Sequence, residues 1–195
     1  MPSIHVKKRQ VGAKIVYYGP GLSGKSANLR FICNNIGQEN RGKLIALTVT
    51  GADGLYIDVL PVRFGKVKGF GVTYNLCTVP GQAMCNTARR LVLKGADGVV
   101  FVADSRKNRM AANLDSLENL QENLERNDLS LEHVPHVIQY NWRNAPDALP
   151  LAELRATLNH HGVLEFEANA VNGEGVMDTL EAIVDIVRND IEERL

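Results

Sequence analysis

The fold class predicted by this sequence is an α/β domain with a mostly parallel sheet flanked by helices, and three observations predict it. Short apolar runs alternate with amphipathic stretches at helical spacing along the chain, the order that strand–crossover–strand units require. One run, Gly98-Val-Val-Phe-Val-Ala103, is apolar on both faces, as a central parallel strand covered by helices must be. The length of 195 residues stands against a prior of about 150 per domain, so one domain over residues 1–195 is expected.

Taken in order, Lys14-Ile-Val-Tyr-Tyr18 reads as a buried strand, ended by Gly19-Pro-Gly21, and residues 27–32 continue as a helix. Residues 44–50, 55–60 and 72–79 are β-type segments, and 65–71, with three glycines, fits a turn between two of them. From Met110 the apolar residues fall at 110, 114, 117, 120 and 124, a single helical stripe. Residues 136–140 and 163–166 are two further strands. The final helix carries Val176, Leu180, Ile183, Val184, Val187 and Ile191 on one face, with Gly175, Glu174 and Asp178 suiting its N-terminus. Both stripes are read as core faces. No repeat, linker or low-complexity segment interrupts the pattern.

Hydrophobic residues make up 45% and charged residues 23% of the chain, the balance of a globular protein with a full core. Lys plus Arg and Asp plus Glu are 22 each, which argues against a protein that coats nucleic acid or an anionic membrane. Cys33, Cys77 and Cys85 are too widely spaced for a metal clip and are expected to be buried free thiols. No signal peptide, membrane helix or lipidation motif is recognisable, so a cytoplasmic location with no membrane anchor is expected.

The chemistry is carried by Gly19-Pro20-Gly21-Leu22-Ser23-Gly24-Lys25-Ser26, which matches G-x-x-x-x-G-K-[ST] between a strand and the helix that Ala27 enters. Its glycines let successive N–H groups converge on phosphate oxygens, reinforced by the helix dipole. Lys25 would meet the β- and γ-phosphates, and the Ser26 hydroxyl would ligate Mg²⁺. Further on, Thr78-Val-Pro-Gly81-Gln82 follows a strand. There Gly81 would present its N–H to a terminal phosphate, and Gln82 would orient an attacking water as the catalytic residue.

With these motifs placed, the chain resembles the MglA-type bacterial small Ras-like GTPases, as a divergent member, from about Ala13 to the C-terminus. The resemblance rests on Lys14-Ile-Val-Tyr-Tyr-Gly-Pro-Gly-Leu, Gly42-Lys-Leu-Ile, Thr78-Val-Pro-Gly-Gln, the run from Leu93 to Ser105 and Val137-Ile-Gln-Tyr-Asn141. It implies a Ras-like G domain of the P-loop NTPase class, GTP/GDP and Mg²⁺ as cofactors, and a role in cell polarity and motility. It also implies recruitment to a cell pole. The partners it implies are an MglB-like Roadblock-domain protein and a RomR-like polar effector.

Two departures alter that expectation. Where the family carries a catalytic arginine followed by a threonine, this chain has Asp53 and Gly54. An arginine there is worth roughly 10³–10⁵ in rate, and an aspartate would repel the γ-phosphate unless it ligates Mg²⁺ itself or Thr48 or Thr50 takes over. Where the family reads guanine with Asn-Lys-x-Asp, this chain has Asn141-Trp142-Arg143-Asn144. Asn144 offers one acceptor where guanine presents two donors, a loss of about 1.5–3 kcal/mol; xanthine would suit it better. Trp142 is expected to stack on the base without bridging to the P-loop. A shifted reading through Asp147 is opposed by Pro146. Arg89, Arg90 and the five histidines show no partners in the sequence. The expectation is therefore weak or altered nucleotide binding with little hydrolysis; the alternative is a fully working Mg²⁺-dependent GTPase.

Overall fold

The computed structural model describes residues 2–5, 9–48, 56–81 and 85–194. Along the chain these form β1 (Ser3–His5), β2 (Gln10–Tyr18), α1 (Lys25–Asn35), β3 (Ile45–Thr48), β4 (Tyr56–Val67), β5 (Phe70–Thr78) and α2 (Asn86–Leu93). There follow β6 (Gly98–Asp104), α3 (Met110–Glu125), β7 (His136–Asn141), α4 (Leu151–Leu158), β8 (Glu165–Glu167) and α5 (Val176–Arg194). Gln82, Asp53, Gly54 and Thr50 lie outside the described residues.

The strands pair in the order β3-β4-β5-β2-β6-β7-β8, with β1 antiparallel to the start of β2. From β5 to β8 the pairing is parallel, while β3, β4 and β5 form an antiparallel ribbon. The predicted α/β class, with a mostly parallel sheet flanked by helices, is what the chain adopts. All seven residues of β6 are buried, because alternate side chains feed two different cores. Val100 and Val102 join Leu29 and Ile32 of α1 and Leu180, Ile183 and Val187 of α5 on one face. Val99, Phe101 and Ala103 join Leu93, Leu120, Leu124 and Leu154 of α2, α3 and α4 on the other. At roughly 1.5–3 kcal/mol for each large apolar side chain removed from water, these two layers hold the strand ends, and the loops they carry, in place.

Three sequence expectations are corrected. The turn expected across 65–71 is only Lys68-Gly69, both at positive φ (46° and 83°). The strand β4 continues through a register shift between Arg63 and Lys66 before that two-residue hairpin. On α3, Leu114 is 41% exposed while Asn113, Ser116 and Asn123 are buried. The helix is rotated from its apolar stripe because Asn113 closes the end of β6, accepting from the Asp104 N–H (2.9 Å) and donating to its carbonyl (2.8 Å). Arg89 and His161 do have partners: Arg89 is described below, and the His161 ring meets His136 edge-on at 5.7 Å. The three cysteines are buried free thiols, as expected.

Candidate functional site

Residues 19–26 leave the C-terminal end of β2 and turn into α1, opposite the ends of β6 and β7. Lys25 is buried, and its Nζ donates to the carbonyls of Gly19 (2.8 Å) and Pro20 (2.7 Å). Burial pushes this ammonium down from its ordinary 10.5 to about 7, and the nearby Arg89 and Arg109 add repulsion. Gly24 caps α1 at φ 105°, and a Cβ there would collide with the Asn141 side-chain amide. Only glycine satisfies both conditions. Ala27 lies in the first turn of α1, and Asn28 behind it exchanges two hydrogen bonds with Gln139 of β7 (2.8 and 3.0 Å). That pair ties the helix to the sheet.

Asn141, the last residue of β7, is 1% exposed. Its Nδ2 donates to the Ser23 carbonyl (2.6 Å), and its Oδ1 accepts from the Ala170 N–H (2.8 Å). One side chain thereby joins the P-loop, β7 and the loop after β8. The arrangement also overturns the expectation for Trp142, because the indole Nε1 donates to the Leu22 carbonyl at 3.1 Å and so bridges to the P-loop. The reach comes from backbone conformation: Trp142 sits at φ 64° and Leu22 at φ 65°, left-handed values that bulky residues rarely adopt. The Arg106 guanidinium covers the Trp142 ring, 4.9 Å from its centroid, a cation–π contact that offsets part of that strain. Asn144 is exposed and its side chain makes no hydrogen bond among the described residues.

A cluster of arginines around the site has no counterpart in the sequence expectations. The fully buried Asp104 pairs with Arg106 (2.6 Å) and Arg109 (3.3 Å), and Arg109 Nη2 donates to the Gly21 carbonyl (2.6 Å). Arg89 is 3% exposed and holds the Pro80 and Gly81 carbonyls (2.9 and 2.7 Å) and Asn119 Oδ1 (2.9 Å). Asp104 at a strand end, with arginines two and five residues later, was the available signal. Arg89 carried none, since its partners are two backbone carbonyls and a neutral side-chain amide. The structure thus brings Gly19, Pro20, Gly21, Leu22, Ser23, Gly24, Lys25, Ser26 and Ala27 together with Gly81, Asn141 and Trp142. It leaves Asn144 at the rim.

The arrangement fits a nucleotide and its metal. Gly21, Ser26 and Gly81 line a cavity of about 790 Å³, and Lys25 is an ammonium that, among the described residues, is satisfied by two carbonyls beside a helix N-terminus. Among the described residues, no helix is long and apolar enough to cross a membrane.

No protein-family model matches the chain. It is 46% identical over 193 residues to the mutual gliding-motility protein MglA of Myxococcus xanthus (strain DK1622), covering 99% of each chain. At that identity and coverage, with a P-loop on a mostly parallel sheet, the chain belongs to the MglA-type family of small Ras-like GTPases.

Proposed function

We propose that this chain is a regulator of gliding motility and cell polarity, a single G domain over residues 1–195. It binds guanine nucleotide with Mg²⁺ more weakly than a complete Asn-Lys-x-Asp site would, and it hydrolyses GTP little. One observation carries the nucleotide reading: the Trp142 indole takes the Leu22 carbonyl, so the base loop stays tied to the phosphate loop although the family's lysine is gone. The N–H groups of residues 21–27 would surround the phosphates, with Pro20 shaping the turn that aims them; Lys25 would meet the β- and γ-phosphates, and Ser26 the Mg²⁺. Gly81 would donate to the terminal phosphate. Trp142 would offer its open face to the base, with Asn144 as the weakened reader of its edge. Bound Mg²⁺ supplies charge neutralisation at the phosphates; positioning falls to these residues.

Output would come through docking. Ile45 and Leu47 on the edge strand β3 and the nearby Tyr56 are about half exposed (49%, 50% and 53%), which supports a protein-binding edge. The resemblance supplies the candidates: an MglB-like Roadblock-domain protein, a RomR-like polar effector and recruitment to a cell pole.

Trp142 is the single tryptophan, so the reading has a direct optical test. Titrating the protein with GDP and Mg²⁺ should quench its fluorescence saturably, and chromatography of denatured, freshly purified protein should release guanine nucleotide. An unchanged signal and an empty protein would refute nucleotide binding. Asn144→Asp should then tighten GDP binding by about ten-fold, read by the same titration; no gain would clear Asn144 as the limiting defect. The second reading, a fully working GTPase, is favoured by the same Trp142 tie, which leaves the departures confined to positions 53, 54 and 144. Single-turnover hydrolysis that Gln82→Ala abolishes would decide for it.

A further inference from the structure

Resting on the nucleotide reading above, we propose that Arg109 is a second cation, beside Lys25, that meets the terminal phosphate of a bound nucleoside triphosphate, making it a γ-phosphate-binding residue. The chain needs such a charge from an unusual place. No lysine or arginine occurs between Lys43 and Arg63, so the segment holding Asp53 and Gly54 brings no cation to the site.

Among the described residues, three cations stand at the P-loop. Lys25 belongs to the P-loop itself and would meet the β- and γ-phosphates from there. Arg89 also borders the cavity, but it is 3% exposed and each of its nitrogens is engaged, by the Pro80 and Gly81 carbonyls and by Asn119, so it positions the strand end. Arg109 differs. It is anchored through Nη2 to the Gly21 carbonyl (2.6 Å) and through Nε to Asp104 (3.3 Å), which leaves Nη1 uncommitted among the described residues. Its side chain is 27% exposed and lines the 790 Å³ cavity together with Ser26 and Gly81.

The anchor point matters. A Cβ placed on Gly81 would lie 2.5 Å from the Gly21 Cα, so the carbonyl that holds Arg109 abuts the glycine whose N–H would contact a terminal phosphate. A diphosphate ends at Lys25 and Ser26. A third phosphate extends toward Gly81, within range of a guanidinium held at Gly21. Arginine suits this task, because its fixed fork keeps the Asp104 anchor while a free amino group turns to phosphate. The same guanidinium already raises the local potential enough to repel the Lys25 ammonium, and the added negative charge of a triphosphate relieves that repulsion.

The test is calorimetric titration of the unaltered protein, Arg109→Ala and Arg109→Lys, with GDP and with the non-hydrolysable guanosine 5′-(β,γ-imido)triphosphate, both with Mg²⁺. Arg109→Ala should lose about ten-fold or more in triphosphate affinity and less than about three-fold in GDP affinity. Arg109→Lys should recover part of the triphosphate loss and none that is specific to GDP. Equal losses for both nucleotides would make Arg109 a positioning residue for the P-loop and overturn the assignment alone. No loss for either would overturn it as well. Failure of the unaltered protein to bind either nucleotide would overturn the assignment together with the nucleotide reading beneath it.

Discussion

Lys25→Met is expected to give a chain that is more stable when empty and that no longer holds nucleotide. The ammonium is buried, its partners are two carbonyls, and no carboxylate pairs with it among the described residues. A buried charge in that position is a cost to the fold, and an apolar side chain of similar length removes it, a gain on the order of 2 kcal/mol at pH 7. For a chain of this size that is a rise of roughly 4–8 °C in Tm. The same change deletes the charge-assisted contacts to phosphate and should lower nucleotide affinity by at least about a hundred-fold. The pH dependence has a definite sign. The folded chain holds Lys25 at about 7, whereas an exposed lysine titrates at 10.5. Between those values the unfolded chain binds more protons, so the stability of the empty protein rises with pH across that window. The methionine variant lacks this slope, and its advantage should be largest at or below pH 7 and vanish near pH 10. Nucleotide affinity of the unaltered protein should fall as pH climbs above 7, because phosphate must recruit a proton to Lys25. Thermal melts and titrations at pH 6, 7.5 and 9 check both halves; a flat stability profile for the unaltered chain would contradict the burial argument.

Asn141→Ala should be the most damaging single change among the side chains at the base-recognition end. It strands two buried backbone groups at once, the Ser23 carbonyl and the Ala170 N–H, each worth about 1–3 kcal/mol when left unpaired. A loss of roughly 2–5 kcal/mol, or about 5–15 °C in Tm, is expected in chemical and thermal denaturation. Asn141→Asp should rescue only the Ala170 half, because a carboxylate faces the Ser23 carbonyl with no proton to donate. Nucleotide binding should fail in both variants at temperatures where the fold persists. If Asn141→Ala melts within about 1 °C of the unaltered protein, a rearranged loop has found other partners for both groups.

Parts of this molecule were legible because their signals are local. β6 declares itself by being apolar on both faces, α5 by six apolar positions at helical spacing, and the P-loop by an octapeptide whose geometry is set within its own turn. Trp142 was misread because its role depends on a positive φ and on a carbonyl 120 residues away, and neither leaves a trace in composition or spacing. The burial of Asn113 left no signal in the stripe of α3, because periodicity cannot see that the end of β6 needs a donor and an acceptor there. Arg89 shows no partner in the sequence for a related reason: a guanidinium held by main-chain carbonyls and one neutral amide has no opposite charge to search for. Gln82, Asp53 and Gly54 lie outside the described residues, and their roles stand on the resemblance.

The burial of β6 also sets a timescale. Its amides pair with β2 on one side and β7 on the other, under two apolar layers. Amides in such a place trade hydrogen for deuterium only when the whole domain opens. The slowest amides within 99–103 should therefore give the global unfolding free energy directly. They belong to the sheet and not to the phosphate and base loops, so they form a built-in reference against which loops can be seen to breathe without the protein coming apart.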